Sequence, residues 1–375
     1  MTVYSDQSIM HLYAGTYTKR EAHVHGKGQG IYTFEIDSIS GEINYLDCLK
    51  NVINPTHFVF NSNGQYLYTV NEHWFDLGPT GTISSYAVDR FSNKINLINR
   101  QSSGGLAPCF ISIDRYDQFV FVANYQTGEI AAFLLLADGQ IGELIEVHKL
   151  EGNGPHEEQD GPHPHCILAD PSNKYVIVTN LGADLILIYR LDIIAGKPLL
   201  RDPVTFHTEP GDGPRHLIFH PNNHFIYVIN ELSSTIIVFE YTSRMARLMP
   251  VQRISTLPDS FRDDNTCADI HITPSGEFLY GSNRGHDSIA VFSVNRFTGK
   301  LDPVDYISSG GRSPRSFTID PTGTFMFVAN QDSDNIVSFV IDQRSGIIQR
   351  TGYQIEIPTP VCVKLSRRIS SKVQS

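Results

Sequence analysis

The chain has 375 residues, a formal net charge of −11 at pH 7, 41% hydrophobic residues and 18% charged ones. That composition excludes a disordered chain, and an acidic balance with no long basic run excludes non-specific nucleic-acid binding. No apolar stretch reaches the roughly 18–20 residues that span a bilayer. Met1 to Leu12 lacks the basic start and apolar centre of a secretory signal, and the five cysteines have no metal-like spacing, so the expected setting is the cytoplasm.

Taken in chain order, the first patterned segment is a short apolar strand, His11 to Thr16. A strand of pattern Ile-x-x-aromatic follows, ending on Phe34, and another opens near Ile43. From there one unit recurs. A proline-like position leads into a short strand, a polar turn, and a second strand ending on Asn: Pro55 to Asn71, Pro108 to Asn124, Pro164 to Asn180, Pro214 to Asn230, Cys267 to Asn283 and Pro314 to Asn330. Each pair is 16 residues apart. The turns carry Asn63-Gly64, Asp117, Asn173-Lys174, Asn222-Asn223, Ser275-Gly276 and Thr322-Gly323, residue types that tolerate tight-turn dihedrals. Each hairpin is followed by an Ile-x-x-aromatic strand, ending on Tyr86, Phe133, Tyr189, Phe239, Phe292 and Phe339. A fourth strand opens near Ile95, Ile141, Leu199, Leu248, Leu301 and Ile348. Finally, Pro360 starts a lone first strand, Val361 to Leu365.

Seven four-stranded units rich in β-branched and aromatic residues, with almost no helical periodicity, predict an all-β protein: a seven-bladed β-propeller with four antiparallel strands per blade. WD40 blades do not fit, since Trp74 is the only tryptophan and no Trp-Asp pair occurs. The lone strand at the C-terminal end and the unpaired strand at the N-terminal end complete one blade together. That closure predicts a single domain over 11–365, with 1–10 and 366–375 as tails.

In each hairpin the start of the first strand lies beside the end of the second. Residues just after the proline position and at or after the Asn therefore gather at one mouth of the channel. They are His57 with Asn71 and Glu72; Cys109 with Asn124; His165 with Asn180; Arg215 and His216 with Asn230 and Glu231; Asp269 with Asn283 and Arg284; and Arg315 with Asn330. The longest loops, Thr18 to Gln29, His73 to Gly81, Gly152 to His163 and Ser260 to Thr266, emerge on the same face. The Asn residues read as caps for strand ends, and the inner-ring cysteines as small apolar fillers. Arginines from separate blades aimed at one opening in an acidic protein predict a site for a small anion. The run Gly154-Pro-His-Glu-Glu-Gln-Asp-Gly-Pro-His-Pro-His165 has the residue types of a metal site. Its prolines hold it extended, so it reads as a substrate-binding loop, and neither a metal nor a cofactor is expected.

Gly-Pro-His-Pro-His165, Gly213-Pro-Arg-His216, Tyr227-Val-Ile-Asn-Glu231 and Ser282-Asn-Arg284, set in this blade pattern, resemble the lactonase family of seven-bladed propellers. Its members include 6-phosphogluconolactonases and carboxy-cis,cis-muconate cyclases. The resemblance runs from about His11 to Leu365. It implies catalytic roles for His165, Glu231, Arg215 and Arg284 in hydrolysis of a sugar lactone, with 6-phosphoglucono-1,5-lactone, a small anionic sugar lactone, the foremost substrate. Either His165 or Glu231 would take the proton from water, while Arg215 and Arg284 stabilise the oxyanion. Substrate binding is expected of Arg315, His57, His163, Asn180 and His216, with Lys19, Arg20, His23, His25 and Lys27 near the phosphate. Two alternatives stand beside it. One is a muconate-type lactonising cycloisomerase using the same residues. The other is a non-catalytic binding propeller, for which the mouth loops offer only Trp74 and Phe75 as aromatic anchors.

Overall fold

A computed structural model describes residues 10–74, 78–89, 94–244 and 246–367; Phe75 lies outside them. Its strands begin where the turn chemistry dictates. All six hairpin turns place a residue in the left-handed region: Gly64, Asp117, Asn173, Asn223, Gly276 and Gly323, with φ between 54° and 77°. Gly, Asn and Asp are the residues for which that conformation is cheap. Three turns are reinforced by one device. The Oδ1 of Asp114, Asp170 and Asp320 accepts the backbone N–H groups four and five residues on, at 2.6 to 2.9 Å. These are charge-assisted bonds that pin each hairpin's register.

The strands form seven four-stranded antiparallel sheets. Blades 2 to 7 each use four strands in chain order. Blade 1 is composite: the strand Pro360–Arg367 is innermost, pairs with Met10–Thr16, and is followed outward by Gly30–Ile36 and Ile43–Lys50. The sequence pattern underestimates this closing pair, because Met10 pairs with both Arg367 and Ile36. In blade 4 the outer strand is Lys197–His207, and the buried residue opposite Leu191 is Leu200, not Leu199. A tight turn with Ala195 and Gly196 both left-handed extends that hairpin and sets its register.

The seven aromatic positions of the third strands are all buried. They belong to apolar clusters that lie between blades rather than within them. Separate clusters join blades 1 and 2, 2 and 3, 3 to 5, 5 and 6, 6 and 7, and 7 and 1. Every interface around the ring therefore excludes water, and the 7/1 interface is no weaker in kind than the rest. The five cysteines are free thiols buried in this packing, and burial pushes the Cys109, Cys166, Cys267 and Cys362 thiols up, so they are inert fillers.

Closure depends on Val363, which is buried opposite Ala14 in the cluster joining blades 7 and 1. Val363→Asp places an unpaired charge there and is expected to cost at least about 3 kcal/mol. Urea denaturation should show a lower midpoint; a wild-type midpoint would show that the ring does not need this seam.

Candidate functional site

The site is built by a repeated irregularity. In blades 3, 4, 5 and 7 the proline pairs with the Asn, but pairing resumes one residue late, leaving Cys109, His165, Arg215 and Arg315 as extra residues. In blade 6 the break follows Cys267, and in blade 1 it leaves out Val361. A β-bulge at the start of a strand turns its side chain out of the sheet's alternation. His165, Arg215 and Arg315 consequently converge on the floor of one cavity of about 640 Å³, beside Cys109. In blades 5 and 7 the next residue, His216 and Ser316, borders a second space. His57, His216, Asp269 and Ser316 line a chamber of about 20 Å³ beneath that floor, together with Lys364.

The wall of the cavity is a second ring, made by the residue after the Asn in five blades: Glu72, Tyr125, Glu231, Arg284 and Gln331; in blade 4 that residue is Leu181, which is buried and does not line it. In blade 1, Thr16 pairs with Pro360 where other blades have Asn, so Tyr17 is the equivalent residue. The mouth is formed by His23, Trp74, Asp264, Asn265, Thr266 and the His156-Glu157-Glu158 segment. Gln159 anchors that segment: its Nε2 donates to the Leu181 carbonyl and to Asp184 Oδ1, both at 2.8 Å.

Three guanidiniums face two carboxylates in the inner part. Glu231 is held between two of them, with Oε2 2.7 Å from Arg215 Nε and Oε1 2.8 Å from Arg284 Nη2. The Arg215 Nε–H is not aimed at its carboxylate oxygen, so that contact is an ion pair without a linear hydrogen bond. Burial alone would raise the Glu231 carboxyl, but Arg284, Arg215 and Arg315 outweigh it and hold it below the usual range. Burial brings the Arg215 guanidinium down to about 10, which leaves it charged at neutral pH. Arg215 Nη1 also donates to the Ala268 carbonyl and to His216 Nε2, the latter at 3.1 Å. That leaves His216 Nδ1–H to donate to Asp269 Oδ1 at 3.0 Å, the tautomer this network requires. Burial and Arg215 push His216 down to about 4 despite Asp269, so it is neutral.

His165 is the neutral group of the floor. Burial, then Arg215, His216 and Arg315, push its imidazole well below the usual range. Its ring meets those of Tyr125 and His216 edge-on, and its Nδ1 has no partner among the described residues. Across the cavity Arg315 donates Nη2 to the Tyr17 hydroxyl at 3.3 Å and lies over its ring. Tyr17 in turn donates to Glu72 Oε1 at 2.8 Å and contacts His23 Nε2 at 3.0 Å. Nη2 of Arg215 and Nη1 of Arg284 and Arg315 donate to no described residue.

Of the nine residues expected from the sequence, His165, Arg215, Glu231, Arg284 and Arg315 line the cavity. His57 and His216 lie one layer below it. His163 and Asn180 do not reach it. Asn180 Oδ1 accepts the His163 backbone N–H at 2.9 Å, and the His163 ring stacks on Tyr125 and pairs with Asp160. Their role is to seat the loop, as the buried Asn residues of the other blades do. Of the first blade's loop only His23 lines the cavity. Lys27 turns away to Asp334 of blade 7, because the loop folds into its own hairpin, Arg20–Glu21 against Val24–His25. The opening is also less cationic than the arginine count suggests, since Glu157, Glu158 and Asp264 stand at the mouth. Among the described residues no three His, Cys, Asp or Glu side chains are grouped to hold a metal ion.

Comparison with known proteins agrees with this arrangement. The profile of the family described as "Lactonase, 7-bladed beta-propeller" matches residues 11–365. A Bacillus subtilis protein named 6-phosphogluconolactonase is 35% identical over 357 residues, 95% of this chain and 98% of that one. A crystal structure of a putative 6-phosphogluconolactonase from Bacteroides fragilis superimposes with a TM-score of 0.88 at 32% identity, covering 98% and 100% of the two chains. A periplasmic gluconolactonase from Pseudomonas aeruginosa gives 0.89 at 30% identity, covering 96% and 99%. The chain belongs to the lactonase family of seven-bladed propellers.

Glu231→Gln leaves Arg215 and Arg284 without their counter-charge and is expected to cost about 3–5 kcal/mol at pH 7, read by urea denaturation. The folded Glu231 carboxyl lies below its ordinary value of 4.5. Its contribution is therefore complete above that pH and is lost as pH falls through the folded value. Wild type and variant should converge in strong acid; equal midpoints at pH 7 would refute the clamp.

Proposed function

We propose that this member of the family hydrolyses a sugar lactone at the channel mouth, foremost 6-phosphoglucono-1,5-lactone to 6-phosphogluconate, as a cytoplasmic step of the pentose phosphate pathway. The names of the Bacillus and Bacteroides relatives support the substrate. The free buried thiols suit a reducing compartment. The observation that carries the chemistry is the juxtaposition of the Arg215–Glu231–Arg284 unit with the neutral imidazole of His165 in a cavity sized for one sugar.

Ester hydrolysis needs charge stabilisation on the carbonyl oxygen and an acceptor for a water proton. Arg215 and Arg284 are fixed by Glu231, so their unspent nitrogens are preorganised for the oxyanion and need no reorganisation as charge develops. Water adds to the carbonyl carbon while His165 takes its proton. The ring C–O bond then breaks, and the departing alkoxide recovers that proton from His165, giving the open hydroxy acid. Apart from burial, the influences that depress His165 come from Arg215, His216 and Arg315. An anionic substrate that offsets the two arginines makes the imidazole more basic at the moment it is needed. Glu231, held low by its arginines, is the orienting group and not the base. Sugar lactones open slowly in water unaided, so this modest machinery suffices without a covalent nucleophile.

His165→Ala and Arg215→Ala are each expected to lower kcat/KM by about two to three powers of ten, the scale of a lost base or oxyanion donor. The assay is a coupled one with freshly generated 6-phosphogluconolactone, corrected for spontaneous opening. Because the base of the free enzyme is neutral far below its usual range, the acid limb of kcat/KM should lie well under pH 6.5. Wild-type rates in both variants, or an acid limb at 6.5 or above, would overturn the assignment.

A further inference from the structure

We propose that Glu72 is a specificity-determining residue whose free carboxylate oxygen accepts a hydroxyl of the substrate, so that the site selects polyhydroxylated lactones over plain or multiply carboxylated ones. This rests on the lactone-hydrolysis reading of the cavity and adds the part that recognises the sugar.

The two inner carboxylates differ in how they are used. Both oxygens of Glu231 face arginine nitrogens. Glu72 is equally fixed at its root: its backbone N–H donates to the Asn54 carbonyl at 3.0 Å, and its carbonyl accepts Asn54 Nδ2 at 2.7 Å. Its Oε1 takes the Tyr17 hydroxyl at 2.8 Å. Its Oε2 is shut off from bulk solvent and receives a hydrogen bond from no described residue. No cation forms an ion pair with Glu72 among the described residues, since Arg315 reaches it only through Tyr17.

A buried carboxylate oxygen with no donor is costly, and the cost is removed only by a donor brought to it. In this conformation Oε2 is left without a donor, and the nearest open space from which one can come is the cavity that Glu72 lines. Glu72 borders both the cavity and the chamber beneath it. The soft terminal torsion of a glutamate lets Oε2 swing onto a group entering the cavity. The ligand's chemistry is then bounded from two sides. Arg215, Arg284 and Arg315 exclude a cationic donor and require a carbonyl or anionic centre close by. Glu72 repels a second carboxylate and requires a neutral O–H. A lactone carrying several hydroxyls meets both conditions; a muconate-type polycarboxylate, with no hydroxyl to donate, does not. A site built to bond a hydroxyl rejects an analogue lacking it far more strongly than an apolar pocket rejects an extra group, because its own polar group is stranded.

The test compares glucono-1,5-lactone with oxan-2-one, the same ring without hydroxyls, using the purified full-length chain in a pH-stat corrected for spontaneous opening. The wild type should favour the hydroxylated lactone in kcat/KM by more than about 100-fold; parity overturns the proposal without any variant. In Glu72→Gln, confirmed folded by circular dichroism, that preference should shrink about 10- to 100-fold, the scale of a lost charge-assisted bond. An unchanged preference, even with both rates reduced, assigns Glu72 a structural role and overturns the proposal. If the wild type opens neither lactone, the assay with 6-phosphogluconolactone decides the hydrolysis reading by itself, and calorimetry with gluconate and pentanoate decides the role of Glu72. Tighter binding of gluconate that weakens in Glu72→Gln sustains the hydroxyl acceptor, whereas equal affinities overturn it.

Discussion

The structure depends on one local device, the β-bulge that follows the proline position of the inner strands of blades 3, 4, 5 and 7. A regular strand would alternate its side chains between neighbouring blades, and none would reach the axis as a set. Skipping one residue in the pairing turns His165, Arg215 and Arg315 out of that alternation. Repetition around a closed ring then multiplies a single distortion into a floor of converging groups. The second-strand ends supply the wall by the same logic in five blades, where the Asn is held by its own hydrogen bonds and the residue after it faces inward. The rigidity of the site is the rigidity of the ring, and the inter-blade clusters that exclude water at every interface hold it shut.

Charge placement follows from burial. Three guanidiniums in a water-poor space would repel one another and lose solvation, and Glu231 between Arg215 and Arg284 offsets both costs. The third, Arg315, is met differently, by the face and hydroxyl of Tyr17 and, behind it, Glu72. The histidines nearest this charge are neutral because burial and the arginines disfavour their protonation. The acidic mouth and cationic floor together make negative charge more favourable at the floor than at the opening.

Much of this was legible in the sequence. The 16-residue spacing located six hairpins and their turns, and every one of those turns contains a left-handed residue. The seven aromatic third-strand positions are all core. What spacing cannot show is the bulge, which adds one residue without altering the separation of Pro from Asn. For that reason His57 and His216 read as lying at the same mouth as His165, although they border the deeper chamber and not the cavity. Tyr17 was hidden because its blade is assembled from both ends of the chain and Thr16 replaces the marker Asn. Tyr125 and Gln331 follow an Asn as Glu231 does and could have been found by carrying that position through all blades. His163 and Asn180 looked functional because they flank an unusual loop, but backbone groups and Tyr125 claim them. The five basic or histidine residues of the first loop were overvalued because a hairpin turns most of them outward.

The central claim is that separate blades build one cavity for a small anion. Trp74, the only tryptophan in the chain, lies at the mouth of that cavity and reports on it directly. Titrating the protein with 6-phosphogluconate while following tryptophan fluorescence should give a saturable change that weakens as salt is raised and is lost in Arg315→Met. A flat titration in the wild type, or an undiminished one in the variant, would contradict the claim.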